Sequence, residues 1–303
     1  MSDINEKLDL YEKLSSLQKK LRYIYILIPL AGLLITLVLI FIFKSYNPMI
    51  IMIVFISLFI SAFIAAPIKK EYSTCYKNLL VRSALQNTFD DYKFYPSLGI
   101  GQNEIRFTNM MQLGNRYKSE DYIKGVYKGV PFEQSDVLIQ NVTSTGKTTT
   151  TVTYFMGRWM IFQFNKDFRC DLQVREKGFS YSKRKNGLFA ADDEKLHKIE
   201  FEDIDFNNKF SVYGQNQAEA FYLLTPQIME AMRELQEKTN GRIMFCFVHN
   251  KLHVAVNDGK DSFNPPVFKN LDIREECLQI NNEINLITRF VDLLNLDKTI
   301  YKS

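Results

Sequence analysis

Cysteine is scarce in this chain, and its spacing excludes two kinds of site. The 303 residues include four cysteines, which lie far apart: Cys75, Cys170, Cys246 and Cys277. None has the paired spacing of a zinc site or of a disulfide framework. We therefore expect reduced thiols, as in a cytoplasmic compartment.

An excess of charge of one sign is also missing. The 38 Lys and Arg residues outnumber the 34 Asp and Glu residues by only four. The basic side chains are concentrated beside the apolar runs described next. A nucleic-acid partner is therefore not expected.

What the sequence does have is two long apolar runs. Residues 23–43 and 49–68 carry no charged side chain and are separated by a five-residue link. About twenty apolar residues are needed for a helix to cross roughly 30 Å of hydrocarbon. Buried core helices usually keep a polar stripe, and no small-residue cleavage site follows the first run. The sequence predicts a transmembrane hairpin in a lipid bilayer.

Basic residues indicate the orientation of this hairpin, because Lys and Arg near the ends of spans stay on the cytoplasmic side. Lys44 is the one basic residue in the link. The outer flanks carry many more, namely Lys13, Lys19, Lys20, Arg22, Lys69, Lys70, Lys77 and Arg82. Both termini are therefore predicted to be cytoplasmic.

The chain then divides into four predicted segments. Residues 1–22 form an amphipathic juxtamembrane helix, 23–68 the hairpin, 69–94 a helical connector and 95–303 a cytoplasmic domain. The leucine stripe of the first segment is Leu10, Leu14, Leu17 and Leu21. It favours a helix lying on lipid or against its own neighbour, with a coiled coil as the alternative.

The cytoplasmic domain is predicted to be α+β, with an antiparallel sheet and a few helices. Residues 121–142 and 151–174 show strand periodicity. Thr225, Pro226 and Gly241 bound a helix. A turn at His249 and Asn250 predicts a hairpin pairing Phe247 with Leu252, Phe245 with Val254, and Ile243 with Val256. The apolar stripe of residues 273–294 predicts a helix packed on this sheet, with a homo-oligomer seam as the alternative.

The stretch "NVTSTGKTTTTVTY", residues 141–154, imitates two motifs. A phosphate-binding loop requires glycine where this chain has Asn141, and a helix after the loop. Glycosylation of Asn141 conflicts with the cytoplasmic prediction. We interpret the stretch as the tip of a long β-hairpin turning at Ser144, Thr145 and Gly146. No cofactor is expected there.

Three groups of side chains are candidate sites, each with an ordinary structural alternative. Cys246 and His253 face each other on the predicted hairpin and form a candidate nucleophile and base, or a structural strand pair. Glu200 and Glu202 are candidate metal ligands, or part of a solvated edge. Lys183, Arg184 and Lys185 are a candidate membrane contact, or an exposed turn.

Several segments resemble a bacterial membrane family catalogued as domain of unknown function 3137. These are "GVYKGVPFEQSDV", "FMGRWMIFQFNKDF", "FEDIDFNNKFSVYGQNQAEAFYLLTPQIMEAMREL" and "VDLLNLDKTIY", in order from about residue 70 to the end. The resemblance implies a bacterial inner or plasma membrane location and twin spans. It implies no assigned activity and no catalytic motif. A LemA-type membrane protein is the partner that it suggests.

Two functions compete. The leading hypothesis is a membrane-tethered cytoplasmic binding or scaffold module, because no set of acid, base, nucleophile and metal ligands converges in the sequence. The alternative is a membrane-surface enzyme using Cys246 and His253 or the acidic segment.

Overall fold

The computed structural model describes residues 2–44, 47–164, 171–179 and 196–296. Within it the chain forms two compact units. One comprises Met1–Ala84 and Phe263–Ile280, and the other comprises Leu85–Ser262 and Asn281–Ser303. Cys170 and the basic turn Lys183, Arg184 and Lys185 lie outside the described residues.

Two long helices dominate the first unit. Helix α1 spans Ser2–Phe43 and α2 spans Pro48–Tyr76, after which a π-helical turn, Lys77–Val81, leads into α3, Arg82–Thr88. Asn47 caps α2, since its side chain accepts a hydrogen bond from the Met49 amide at 3.0 Å. Both α1 and α2 are long and apolar enough to cross a membrane, as the sequence predicts.

The amphipathic segment continues directly into the first apolar run within α1. Its leucines Leu14, Leu17 and Leu21 are buried. Lys13 on the same segment lies 2.8 Å from Glu71 of α2. The stripe therefore packs against a neighbouring helix, which was one of its two expected placements.

A C-terminal segment completes the first unit beside α1. The Gln18 amide nitrogen donates to the backbone oxygens of Pro266 and Lys269 at 2.8 and 2.9 Å. Arg22 donates from Nε to the Val267 oxygen at 2.7 Å. Hydrogen bonds from charged or amide groups to otherwise exposed carbonyls fix an irregular segment in place.

The second unit is built on an antiparallel sheet, so the predicted α+β class is confirmed. Its nine described strands run in the order β1-β2-β3-β4-β9-β8-β5-β7-β6. They are β1 Asp91–Tyr95, β2 Arg116–Tyr127, β3 Val130–Ser144, β4 Thr149–Gln163, β5 Leu172–Glu176, β6 His197–Ile199, β7 Phe210–Gly214, β8 Arg242–Val248 and β9 Lys251–Asn257. Five further helices follow in the described chain: α4 Gln102–Phe107, α5 Ile204–Lys209, α6 Gln217–Leu223, α7 Pro226–Lys238 and α8 Ile273–Leu293.

The β8–β9 hairpin has the register that the sequence predicts. Phe247 pairs with Leu252, Phe245 with Val254, and Ile243 with Val256. His249 in the turn takes a positive φ of 52°. The two-residue turn fixes this register, because loop length and turn type determine which residues of a hairpin pair. Side chains on both faces of the two strands are buried.

Helices and loops cover both faces of the sheet. On one face Phe290 of α8 lies against Phe162 and Phe245, with ring centroids 6.3 and 6.2 Å apart. The C-terminal half of α8 therefore packs on this sheet, which agrees with the prediction for that half of the helix. The opposite face buries a cluster around Trp159 that includes Ile105 of α4 and Met110.

Candidate functional site

Three aspartates converge in the second unit. One carboxylate oxygen from each of Asp121, Asp136 and Asp261 lies within 4.8 Å of the others. Asp121 and Asp136 are buried, with exposed fractions of 0% and 5%, and Asp261 is half-buried. We call these residues the aspartate cluster. None of them is among the candidate site residues predicted from the sequence.

A β-bulge places Asp121. The pairing of β2 with β3 shifts between Glu120 and Ile123, so that one extra residue is accommodated on β2. Asp121 has a φ of 59°, and its amide donates to the Pro96 oxygen at 3.1 Å. Bulges of this kind change the direction in which a strand side chain points.

Asp136 comes from a polar interruption of β3. Gln134, Ser135 and Asp136 are all buried between apolar strand neighbours. Alternation places Gln134 and Asp136 on the same face. Gln134 pairs with Ile123 and Asp136 pairs with Glu120. The bulge that carries Asp121 therefore lies opposite the stretch of β3 between Gln134 and Asp136. In the sequence, successive polar residues within an apolar strand mark Asp136, although nothing in this run links it to Asp121 or Asp261.

The loop after β9 supplies Asp261. Gly157 on β4 has a φ of 154°, and a Cβ there would lie 2.1 Å from the Val256 oxygen, so glycine permits the close approach of this part of the chain. The Gly259 amide donates to the Met156 oxygen at 2.9 Å. The Ser262 amide then donates to Asp136 Oδ2 at 2.6 Å and holds the loop against the cluster.

The electrostatics of the cluster favour a compensating positive charge. Burial raises the pKa of Asp136 well above its usual value, and the charges of Asp261 and Asp121 raise it further. Arg158 opposes this shift, but its guanidinium also pairs with Asp258 at 3.5 Å and, more closely, with Glu283. The positive charge of Arg158 is therefore shared among several acids.

Hydrogen bonding around the cluster is incomplete among the described residues. Asp136 Oδ1 has no hydrogen-bond partner there, and neither do the amide oxygen and nitrogen of Gln134. The Ser262 hydroxyl is also unpartnered. A cavity of about 40 Å³ is lined by Asp136, Asp261 and Lys118, among others. Buried polar atoms in native proteins are normally satisfied, so this region has capacity for a ligand.

The predicted Cys246 and His253 pair faces each other across β8 and β9, but both side chains lie in the core. Burial raises the pKa of the Cys246 thiol and lowers that of His253 to about 3. Trp159 Nε1 donates to His253 Nδ1 at 3.2 Å. This arrangement favours a neutral thiol and a neutral imidazole, the opposite of an activated nucleophile.

The predicted acidic segment serves other contacts. Glu200 is exposed and accepts from Lys198 at 2.7 Å, and Glu202 is exposed as well. Asp203 caps α5 by accepting from the Phe206 amide at 2.9 Å. The segment after β6 is not a strand, so the alternation expected for Glu200 and Glu202 does not apply.

Residues 141–154 form the hairpin tip that the sequence predicts. β3 ends at Ser144 and β4 begins at Thr149, with the Thr145 amide donating to the Thr148 oxygen at 3.0 Å. Gly146 has a φ of 79°, typical of a tight turn. No helix follows whose amides could hold a phosphate, because Gly146 leads into β4.

The chain is similar to one protein family and to one solved structure. That structure is the crystal structure of the mycobacterial trehalose monomycolate transport factor A, TtfA, with 13% identity and a TM-score of 0.35 over 72% of this chain and 93% of that chain. A TM-score of this size does not establish a shared fold. No curated protein matches significantly. Residues 153–296 match the family described as protein of unknown function (DUF3137), so the resemblance predicted from the sequence is confirmed over that part of the chain.

Proposed function

We propose that this protein is a membrane-anchored binding or scaffold module, in which the α1–α2 hairpin spans a bacterial inner or plasma membrane and the sheet domain recognises a partner at the cytoplasmic face. The observation that carries the proposal is the reversed polarity of the hairpin. Its large apolar side chains point outward, whereas its few polar side chains point inward. A water-soluble helical hairpin has the opposite arrangement.

The outward side chains are phenylalanines and aliphatic residues. Phe41, Phe59 and Phe63 are 83%, 76% and 76% exposed. Such an apolar surface is unfavourable in water and suits the hydrocarbon core of a bilayer. The basic residues beyond the apolar runs support an orientation with both termini in the cytoplasm.

The inward side chains are small and polar. Thr36, Ser57 and Ser61 are buried, and a Cβ on Gly32 would lie 2.3 Å from the Ser57 hydroxyl. Thr36 Oγ1 donates to the Gly32 oxygen at 2.8 Å. Close contact through small residues, with hydroxyls bonded to the backbone, is how membrane helices pack in the absence of a hydrophobic driving force.

The binding role is supported by apolar side chains exposed on the sheet domain. Phe221 and Tyr222 of α6 are 46% and 52% exposed, and Ile204 of α5 is 74% exposed. The ring of Phe201 contacts both helices, through Phe221 at 5.0 Å and Phe206 at 6.1 Å. Exposed aromatic residues on a stable support are typical of protein interfaces. The candidate partners are a LemA-type protein, suggested by the family resemblance, and a second copy of this chain.

Labelling with a membrane-impermeant maleimide tests the anchor and its orientation. In a cysteine-free background, Lys44→Cys places a thiol in the link between α1 and α2, and Lys147→Cys places one at the exposed β3–β4 tip. We expect intact cells, with the outer face of this membrane accessible, to label only the first. Labelling of Lys147→Cys without permeabilisation would contradict the orientation. Release of the protein by alkaline carbonate would contradict the anchor.

Co-purification tests the binding role. The full-length protein, extracted from its own membranes in mild detergent, should carry a stoichiometric component detectable by mass spectrometry. The double variant Phe221→Glu with Tyr222→Glu should lose it. The control Phe107→Glu, a change at a 68% exposed phenylalanine on α4, should retain it. A component that remains with the double variant would exclude this surface, and a preparation with nothing bound would favour the enzyme alternative.

A further inference from the structure

We propose that the aspartate cluster binds one divalent cation, and that Ca²⁺ fits it best. The proposal is independent of the membrane anchor, because the three aspartates lie together in the second unit. It assigns a metal site to residues other than the glutamates that the sequence analysis considered.

The convergence of three carboxylates is the first observation. Asp121, Asp136 and Asp261 come from a bulge, a strand and a loop, yet one oxygen of each lies within 4.8 Å of the others. Like charges in a poorly solvated place repel one another strongly unless a proton or a cation intervenes. Carboxylate oxygens are the ligands that hard divalent cations prefer.

The second observation is a buried amide on the strand that carries Asp136. Gln134 has an exposed fraction of 0%, and neither its oxygen nor its nitrogen has a hydrogen-bond partner among the described residues. It lies on the same face of β3 as Asp136, beside the bulge of Asp121. Leaving such a group unsatisfied is costly. An amide oxygen is a common calcium ligand, so a cation would satisfy the oxygen of Gln134.

Neighbouring basic side chains do not account for the cluster equally well. Lys118 is largely exposed and donates to Glu120 at 2.5 Å. Arg158 is bound by Asp258 and Glu283. Lys260 lines the same cavity as Asp136 and Asp261. Lys118 interacts electrostatically with Asp261 and Asp121 as well as with Glu120. A cation bound between the three aspartates would instead contact their carboxylates directly.

The donor set favours the larger alkaline-earth ion. Ca²⁺ is bound by carboxylate and side-chain amide oxygens in flexible geometry, whereas Mg²⁺ demands near-octahedral geometry and usually keeps several waters. Ca²⁺ binds oxygens at about 2.3–2.6 Å, so two ligands of one ion can lie up to about 4.6–5.2 Å apart. The three aspartate oxygens lie within 4.8 Å of one another and can therefore share one such ion. The adjoining cavity of about 40 Å³ has room for water ligands.

Isothermal titration calorimetry of the full-length protein in detergent, freed of metal with EGTA and exchanged into chelator-free buffer, tests the proposal. We expect one Ca²⁺ per chain and a rise in the unfolding midpoint when CaCl₂ is added. Asp136→Asn, which keeps the shape of the side chain, should weaken binding at least tenfold. The control Asp205→Asn removes a carboxylate that is 82% exposed, and should bind as the wild type does.

Asp261→Asn provides a second variant if Asp136→Asn fails to fold, because Asp261 is only half-buried in a loop. It too should weaken binding at least tenfold. Absence of heat and of any midpoint shift at millimolar CaCl₂ would overturn the site. Wild-type affinity in a folded Asp136→Asn or Asp261→Asn variant would overturn it equally, and tighter binding of MgCl₂ than of CaCl₂ would overturn the choice of ion.

Discussion

The buried histidine of the sheet predicts an acid sensitivity that also tests the catalytic hypothesis. His253 is 1% exposed, and its Nδ1 accepts a hydrogen bond from Trp159 Nε1 at 3.2 Å. Burial, helped by the charge of Lys251, lowers its pKa to about 3 in the folded protein. Cys246 faces it across the strand pair. In the unfolded chain the same imidazole has a pKa of about 6.5.

The sign of the effect follows from proton binding. Below a pH of about 6.5 the unfolded chain takes up a proton that the folded protein excludes, so acid favours unfolding. With the folded pKa at about 3, the contribution of His253 to the free energy of unfolding falls by about 2 kcal/mol between pH 7 and pH 5. Any pKa below about 4 in the folded protein gives nearly the same result, because only the imidazole of the unfolded chain then takes up protons between pH 7 and pH 5.

Urea unfolding followed by tryptophan fluorescence measures this loss, because Trp159 is the single tryptophan of the chain and is itself buried. The variant His253→Gln keeps an acceptor for the Trp159 N–H but cannot titrate, and should lose about 2 kcal/mol less than the wild type over this range. The corresponding difference in thermal midpoint is about 4–8 °C for a domain of this size. The control His197→Gln, at an exposed position on β6, should behave as the wild type.

Equal acid sensitivity in the wild type and in His253→Gln would refute the reasoning. A titration of His253 near neutrality, observed by NMR, would refute it more directly. That second result would also revive Cys246 and His253 as a nucleophile and base, because such a pair needs an imidazole that accepts a proton near physiological pH.

Two further predictions concern packing. Phe290→Ala removes a fully buried ring from between Phe162 and Phe245, and should lower the free energy of unfolding in urea by about 3–5 kcal/mol. The control Phe107→Ala, at an exposed ring, should lower it by less than about 1 kcal/mol. Similar losses in the two variants would contradict the placement of α8 on the sheet. Tyr76→Phe removes the hydroxyl that donates to the buried Glu276 at 2.5 Å, and should cost about 1–3 kcal/mol by circular dichroism. Tyr23→Phe, at a 62% exposed ring, is its control, and an unchanged midpoint in Tyr76→Phe would show that Glu276 has another sufficient donor.

Local patterns made much of this architecture predictable. The cap and stop of α7 at Thr225 and Gly241 are chemical signals carried by single residues. The register of β8 on β9 follows from the two-residue turn at His249 and Asn250, because loop length determines which residues of a hairpin pair. The apolar runs of α1 and α2 are equally local, because their length and composition alone meet the requirement for crossing a bilayer.

The aspartate cluster could not be read from the sequence in the same way. Asp121, Asp136 and Asp261 are separated by 15 and 125 positions along the chain, and no spacing motif links them. A bulge in β2, the buried face of β3 and the loop after β9 bring their oxygens together. The apolar spans, the strand register and the caps depend on neighbouring residues and are therefore predictable from sequence. Which charges share a buried site depends on the fold, because sheet pairing brings together residues that are distant in the chain.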